Sequence, residues 1–290
     1  MEGDVRMSRL GFSYVRPSTI QEAVDALQTP NARIIAGGTD VMIELKEKNE
    51  QECVLVDVTA IPELTQIRVT ETTLEIGAAV TFTDISLHPV ICREYSALAK
   101  AASLVGSPQI RNRGTVGGNL STGSSAGDSI CPLTAFGADL VIVGAAGEET
   151  VNIADFWTWD GRKQLSTKAV LYKVILPRRS PAAQSSFIKL GRRESLAISR
   201  LSVSFAVWSN EAGVIAKATA AVGSAGRYAY CVPEVSAVFV GKTLETANGQ
   251  GAEELLSSAV SRALGARSTA RYKAQAVKAL CGQAINNLKK

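Results

Sequence analysis

The chain has 290 residues, 46% of them hydrophobic, and a formal net charge of +4. That size and apolar content suit one large or two ordinary domains with real cores. The basic residues are scattered, the longest clusters being Arg178-Arg179, Arg192-Arg193 and Lys289-Lys290, and no apolar run reaches the ~18 residues of a membrane helix, so neither a nucleic-acid partner nor a membrane span is expected.

The stretch RPSTIQEAVDALQT opens a helix, with Ser18 and Gln21 as a capping box and Ile20, Val24 and Leu27 on one face. ARIIAGGTDV then reads as a buried strand running into a Gly-Gly turn, MIELKEKN as a short helix and CVLVDV (53–58) as a second buried strand. Strand, helix and strand at this spacing predict a small parallel βαβ unit. TLEIGAAV (73–80) is another strand, followed by a helical region interrupted at Pro89.

Residues 114–129, GTVGGNLSTGSSAGDS, carry five glycines among Ser and Thr residues and read as a loop. PLTAFGADLVIVG reads as a helix feeding a strand, and AVLYKVILP (169–177) as a strand stopped by Pro177. The polar RRSPAAQSS (178–186) is a linker candidate. Beyond it, 186–223 reads as long strands with a turn at NEAG, and the chain from about 250 onward as almost wholly helical.

Cys53, Cys92, Cys131, Cys231 and Cys281 are far apart and form no C-x-x-C pair, which fits buried, reduced thiols and argues against a disulfide scaffold or a local metal or cluster site. The charged start MEGDVRMSRL lacks the apolar core of a signal peptide, so a cytoplasmic location is expected. His88 is the single histidine, and SLHPV reads as a helix or turn surface, which leaves little for a His-dependent nucleophile. Trp157, Trp159 and Trp208 are expected in the core or an interface.

Two glycine turns carry the chemistry: AGGTD (36–40) and TVGGN (115–119). Glycine lets main chain approach a ligand, and consecutive N–H groups can converge into an anion nest. Thr39 and Thr115 can add hydroxyl donors. Two such turns suit two phosphates of one ligand, such as a pyrophosphate. Standard fingerprints fail: no G-x-G-x-x-G opens a helix, and GKT (241–243) has Ser236 where a P-loop needs its first glycine.

IIAGGTDV, SPQIRNRGTVGGNLSTGSSAGDS and FIKLGRRESLAIS together resemble the FAD-binding subunit of the molybdenum hydroxylases, the xanthine, nicotinate and carbon monoxide dehydrogenase family. The resemblance covers nearly the whole chain, in order. It implies an α+β fold: a two-part FAD-binding domain over 7–177 (subdomains about 7–60 and 61–177), built of a small βαβ unit plus a mixed α/β sheet domain of the vanillyl-alcohol-oxidase type. A C-terminal domain of antiparallel sheet with a helical bundle follows over 186–288.

The resemblance further implies that Ile34, Ile35, Ala36, Gly37, Gly38, Thr39, Asp40 and Val41, with Thr115, Val116, Gly117, Gly118 and Asn119, hold the FAD pyrophosphate and its neighbours. Asp128 matches the acidic residue near the ribityl and flavin end, where a carboxylate can accept a hydroxyl hydrogen bond. Leu171 matches an apolar or backbone contact, although by itself it is a core strand residue. Lys189 matches a lysine that approaches the flavin and favours its anionic reduced form; by itself it reads as a solvated strand lysine. Arg192 and Arg193 fit either a nucleotide or a partner subunit.

The implied activity is electron transfer. A molybdopterin large subunit hydroxylates the substrate, two 2Fe-2S clusters on a small subunit relay electrons, and FAD on this chain passes them to NAD(P) or another acceptor, within a heterotrimer that pairs. No cysteine-rich insertion of the benzoyl-CoA-reductase branch is present. A stand-alone flavin oxidoreductase of the same cofactor fold and a non-catalytic assembly module are the alternatives.

Overall fold

Three short apolar strands pair in parallel at the start of the chain. In the computed structural model, which describes residues 12–48, 52–157, 165–178, 183–193, 196–247 and 249–289, they are β1 (Phe12–Val15), β2 (Ala32–Ile35) and β3 (Cys53–Asp57), in the order β1-β3-β2. Helices α1 (Ile20–Ala26) and α2 (Val41–Glu47) make the crossovers. The expected βαβ unit is thus present.

The α1 cap lies one residue later than expected. Thr19 caps, its hydroxyl accepting from Glu22 N at 3.2 Å, and Glu22 Oε2 accepts from Ser18 N at 2.8 Å. Burial of Ala23, Val24 and Leu27 sets that register, and an anionic Glu is a stronger acceptor than Gln21 for the first-turn amides.

The second layer is a sheet of β4 (Ile67–Val69), β5 (Thr73–Gly77), β6 (Asp139–Gly144), β7 (Gly147–Asn152) and β8 (Val170–Pro177). Its order is β4-β5-β8-β6-β7 and every pairing is antiparallel. Between β5 and β6 run α3 (Phe82–Leu87), α4 (Pro89–Glu94), α5 (Ser96–Ser103), α6 (Pro108–Arg111), α7 (Val116–Thr122) and α8 (Ile130–Phe136). Pro89 opens α4 at its first turn, the break read from the sequence. The glycine-rich stretch is not all loop: Val116–Thr122 of it are α7.

The third layer is β9 (Gln184–Leu190), β10 (Leu201–Ser209), β11 (Ile215–Gly223) and β12 (Tyr230–Cys231), ordered β12-β11-β10-β9 and antiparallel. Helices α9 (Ser236–Phe239), α10 (Gly249–Leu264) and α11 (Ala270–Leu288) complete it. β10 joins the two main cores, since its side chains alternate between faces. Val203, Phe205 and Val207 pack with Leu256 and Val277 on one side, while Ala206 and Trp208 pack with Phe136 on the other.

Three expectations need correction. Residues 191–193 and 196–200 are not strand: Gly191 turns tightly against Ala197, and Leu196 has φ +53°. Arg178 is not a free linker residue, since it holds Glu94 through Nε at 2.7 Å and Nη2 at 3.0 Å. Cys92 and Cys231 are exposed rather than buried. Trp157 and Trp208 are buried, as expected; Trp159, residues 179–182 of the linker and the domain start at Met7 lie outside the described residues. No helix among the described residues is long and apolar enough to cross a membrane.

Candidate functional site

Ile34 and Ile35 close β2, paired with Val56 and Asp57 of β3. Ala36 to Asp40 form the turn that delivers the chain to Val41, the first residue of α2. Gly38 has φ +75°, which glycine adopts without strain. Gly37 is needed for a different reason. A Cβ there would lie 2.0 Å from the Arg113 carbonyl oxygen and 3.0 Å from Gly114 Cα. The first turn is therefore pressed directly onto the main chain that leads into the second motif.

Among the described residues, no acceptor meets the backbone N–H groups of Ala36, Gly37, Gly38, Thr39 and Asp40. These are five successive donors on a half-buried turn, at the carboxyl ends of parallel strands, where open α/β sheets place their ligands.

The second motif is built differently. Thr115 caps α7, its hydroxyl accepting from Gly118 N at 3.0 Å, and Gly123, with φ +67°, ends the helix. Val116 N donates to Val80 O at 3.1 Å, Gly117 N to Ala78 O at 2.9 Å and Asn119 N to Thr115 O at 3.0 Å. Those amides are spent inside the protein, so the expected second open nest is not formed by 116–119. Gly117 has no positive φ. A Cβ on it would meet Ala78 Cβ at 2.5 Å and Ala78 O at 2.6 Å, so glycine is there to seat α7 on the segment after β5. Ala78 N in turn donates to Tyr172 O at 3.0 Å, beside Leu171, which is buried in β8 and pairs with Ile142 at a bulge.

Asn119 links this helix to the loop beyond it. Its Oδ1 accepts from Ser129 Oγ at 2.8 Å, and a Cβ on Gly127 would sit 2.9 Å from the same oxygen. The loop is thereby folded onto the first turn of α7 and presents Asp128, which is only 6% exposed. Asp128 Oδ2 accepts from Lys189 Nζ at 2.5 Å, and the same ammonium donates to Leu104 O at 3.1 Å. Lys189 is therefore not a solvated strand lysine. Asp128 Oδ1 is buried and has no hydrogen-bond partner among the described residues. Burial raises the Asp128 carboxyl to about 6, against the opposing pull of Lys189.

The residues singled out from sequence thus form one connected run. The first turn touches Arg113 and Gly114, Thr115 to Asn119 follow, Asn119 touches Gly127, and Asp128 holds Lys189. Leu171 joins through the core by way of Tyr172 and Ala78. Sequence reasoning missed Arg113, Ala78 and Leu104, whose backbone groups or small side chain act as seats. The small pair Ala78-Ala79 after a strand is the one local signal for such a close approach. The run offers anion-seeking amides at one end and a buried carboxylate with an open acceptor at the other, which suits an elongated ligand with phosphates and hydroxyl or N–H donors.

Residues 10–179 match the family described as FAD binding domain in molybdopterin dehydrogenase. The chain belongs to that family. It is 38% identical over 273 residues to the nicotinate dehydrogenase FAD-subunit of Eubacterium barkeri, covering 92% of this chain and 92% of the relative. A chain of the solved carbon monoxide dehydrogenase of Hydrogenophaga pseudoflava, in a form lacking the Mo-pyranopterin moiety, matches with TM-score 0.85 at 25% identity, covering 96% of this chain and 97% of that one. A chain of quinoline 2-oxidoreductase from Pseudomonas putida 86 matches with TM-score 0.84 at 26% identity, with the same coverage. The α+β architecture expected for this FAD-binding family is the one observed.

Proposed function

We propose that this chain is the FAD-carrying electron-transfer subunit of a cytoplasmic molybdenum hydroxylase. It would stand between an iron–sulfur small subunit, fed by a molybdopterin large subunit, and NAD(P) or another acceptor. The family supports the cofactor, and the names of the relatives support a dehydrogenase complex.

The residues present fit FAD. Five amides without an acceptor, on a turn that tolerates no Cβ at Gly37, support a pyrophosphate seat at Ala36–Asp40. Thr39 and Thr115 border it, and Ile34, Ile35 and Val41 hold its two ends. Val116, Gly117, Gly118 and Asn119 act by fixing the approach of α7 to that turn. Asp128 Oδ1 is the open acceptor for a donor on the cofactor, Lys189 is the cation beside it, and Leu171 backs the site from the core. FAD, when bound, supplies the exchange between single electrons and a two-electron acceptor. The chain orients it, excludes water around Asp128 and sets the local charge. The reading assigns cofactor binding to 7–177 and a supporting domain to 186–288, and the separate core around β10, α10 and α11 supports that division.

The single observation that carries the reading is the run of five open amides wedged against Arg113 and Gly114. Absorbance of the purified full chain tests it. About one flavin per chain is expected, and colourless protein that takes up no added FAD overturns it. Co-purification with a cluster-bearing and a molybdenum-bearing chain tests the assembly.

A further inference from the structure

The loop that presents Asp128 is two turns in series. Ser124 O accepts from Gly127 N at 2.9 Å, and Gly127 O accepts from Ile130 N at 3.1 Å. Ser125 and Ala126 are the central residues of the first turn, Asp128 and Ser129 those of the second. Each turn is gripped from the third layer. Lys189 of β9 donates to Asp128 Oδ2 on the second turn. Ser224, directly after β11, donates to Ser125 O on the first, from its N–H at 2.9 Å and from Oγ at 3.3 Å.

The two grips come off one end of one sheet. Ser202, near the start of β10, lies opposite Lys189 on one side and opposite Gly223 on the other. Lys189 and Gly223 are thus two strand spacings apart, about 10 Å. Ser224 is held there against its own preference, since its φ of +59° is a left-handed backbone that costs a serine free energy. Its carbonyl accepts from Lys273 Nζ at 2.5 Å. Lys273 is half-buried in the first turn of α11, and a bond from an ammonium is stronger than a neutral one. The chain of hydrogen bonds runs from Lys273 to Ser224 to Ser125, and the next turn of the loop carries Asp128.

We propose that Lys273 is a positioning residue for the cofactor. From the C-terminal helix it braces Ser224, Ser224 braces the first turn of the loop, and the loop sets where the open oxygen of Asp128 stands. The inference rests on the proposed function, which gives that oxygen a donor on FAD. It adds that the C-terminal layer, and not the glycine turns alone, governs the hold on that donor. A tie that merely fastens α11 to β11 is the competing reading, and it would leave loop and flavin untouched.

The test uses the full chain. Lys273→Met keeps the apolar stem and removes the donor. It should release flavin at least about tenfold faster than the wild type, as loss of a hydrogen bond to a charged group implies. In the flavin-free chain, amide hydrogen exchange across 123–129 should speed up. Lys273→Arg should restore most of both. Lys278→Met, which removes a pair with Glu254 on the same two helices, should leave both at the wild-type level. Lys273→Met combined with Asp128→Asn should speed release by less than the product of the single effects, because both act through one loop. If Lys273→Met fails to fold, Lys273→Gln should give the same readings with smaller effects. Unchanged exchange at 123–129, unchanged flavin release, or single effects that simply multiply would overturn the proposal. A wild type that takes up no FAD, while Lys273→Met still loosens the loop, sinks the flavin reading and leaves the brace standing.

Discussion

Lys189 Nζ lies 2.5 Å from Asp128 Oδ2, although the two residues are 61 positions apart in the chain, and both side chains are more than nine-tenths buried. The pair joins the glycine-rich loop to β9 of the third layer, and the Leu104 carbonyl completes it from the end of α5. One carboxylate oxygen is used by the lysine and the other is open. A buried charge pair with an open acceptor is costly by itself, and a donor supplied by a ligand would lower that cost.

Lys189→Ala leaves that carboxylate buried without its cation. Removing one partner of a buried pair costs about 3–5 kcal/mol, so the apo chain should lose stability of that order in urea unfolding, and flavin retention should fall with it. Asp128→Asn likewise leaves the buried Lys189 ammonium without its anion, so it too should destabilise the apo chain. Its pH behaviour is the sharper readout. The folded Asp128 binds its proton more tightly than the unfolded one, with a pKa of about 6, against about 3.9 unfolded. Its contribution is therefore most favourable below pH ~4 and declines as pH rises toward ~6. Asp128→Asn should flatten that slope; identical pH profiles for the two proteins would refute the assignment.

Gly37 and Gly38 should respond differently to alanine. At Gly37 a methyl group meets the Arg113 carbonyl at 2.0 Å, which forces the two turns apart. Overpacking of this kind costs about 1–3 kcal/mol or more. Gly37→Ala should abolish flavin retention and lower the melting temperature. Gly38→Ala meets nothing nearer than 3.5 Å, so its cost is the left-handed backbone alone, about 1 kcal/mol. Flavin absorbance and thermal melts of the two variants check this; equal losses would contradict the packing argument.

Much of this was legible locally. The apolar run before Gly37-Gly38, the spacing of β2, α2 and β3, and the Pro89 break all follow from short-range chemistry. Helix α7 did not, because VGGNLST holds two glycines, which disfavour helix. The helix forms where Gly117 can lie on Ala78, a contact that no local window contains. β7, GEETVN, is mostly exposed and lacks the apolar alternation of a half-buried strand. The Asp128–Lys189 pair was invisible for the same reason as the Gly117–Ala78 contact: each residue could be picked out, but their meeting depends on the fold of everything between them.

The Gly117–Ala78 contact gives its own test. Gly117→Val should lose flavin, but by unseating α7 rather than by filling a phosphate site, so the apo chain should be destabilised as well. Ala78→Gly should partly rescue the milder Gly117→Ala, because it removes the Cβ that stands 2.5 Å away and leaves the 2.6 Å approach to the Ala78 carbonyl. Coupling of this kind is what a double-mutant cycle measures. Full apo stability in Gly117→Val, with flavin alone lost, would return the glycine to a direct role at the ligand.

Glu94 supplies the opposite pH signature to Asp128. Its carboxylate is gripped by Arg178 through two bonds, and Arg93 lies 2.5 Å from Oε1. The Arg178 bonds, ahead of an opposing burial effect, hold the Glu94 pKa down at about 2. A folded pKa below the unfolded value of about 4.3 means stabilisation that is complete above that pH and lost as pH falls toward 2. The pair ties α4 to the end of β8, and Arg178 also reaches Thr70 O at 2.9 Å. Hydrogen bonds to a charged group contribute about 1.5–3 kcal/mol, so Glu94→Gln should lower stability by about that much at pH 7 and by progressively less below pH 4. Urea unfolding of wild type and variant at pH 7, 4 and 3 decides it, since a difference that stays constant across the three would mean the ion pair contributes nothing through its charge.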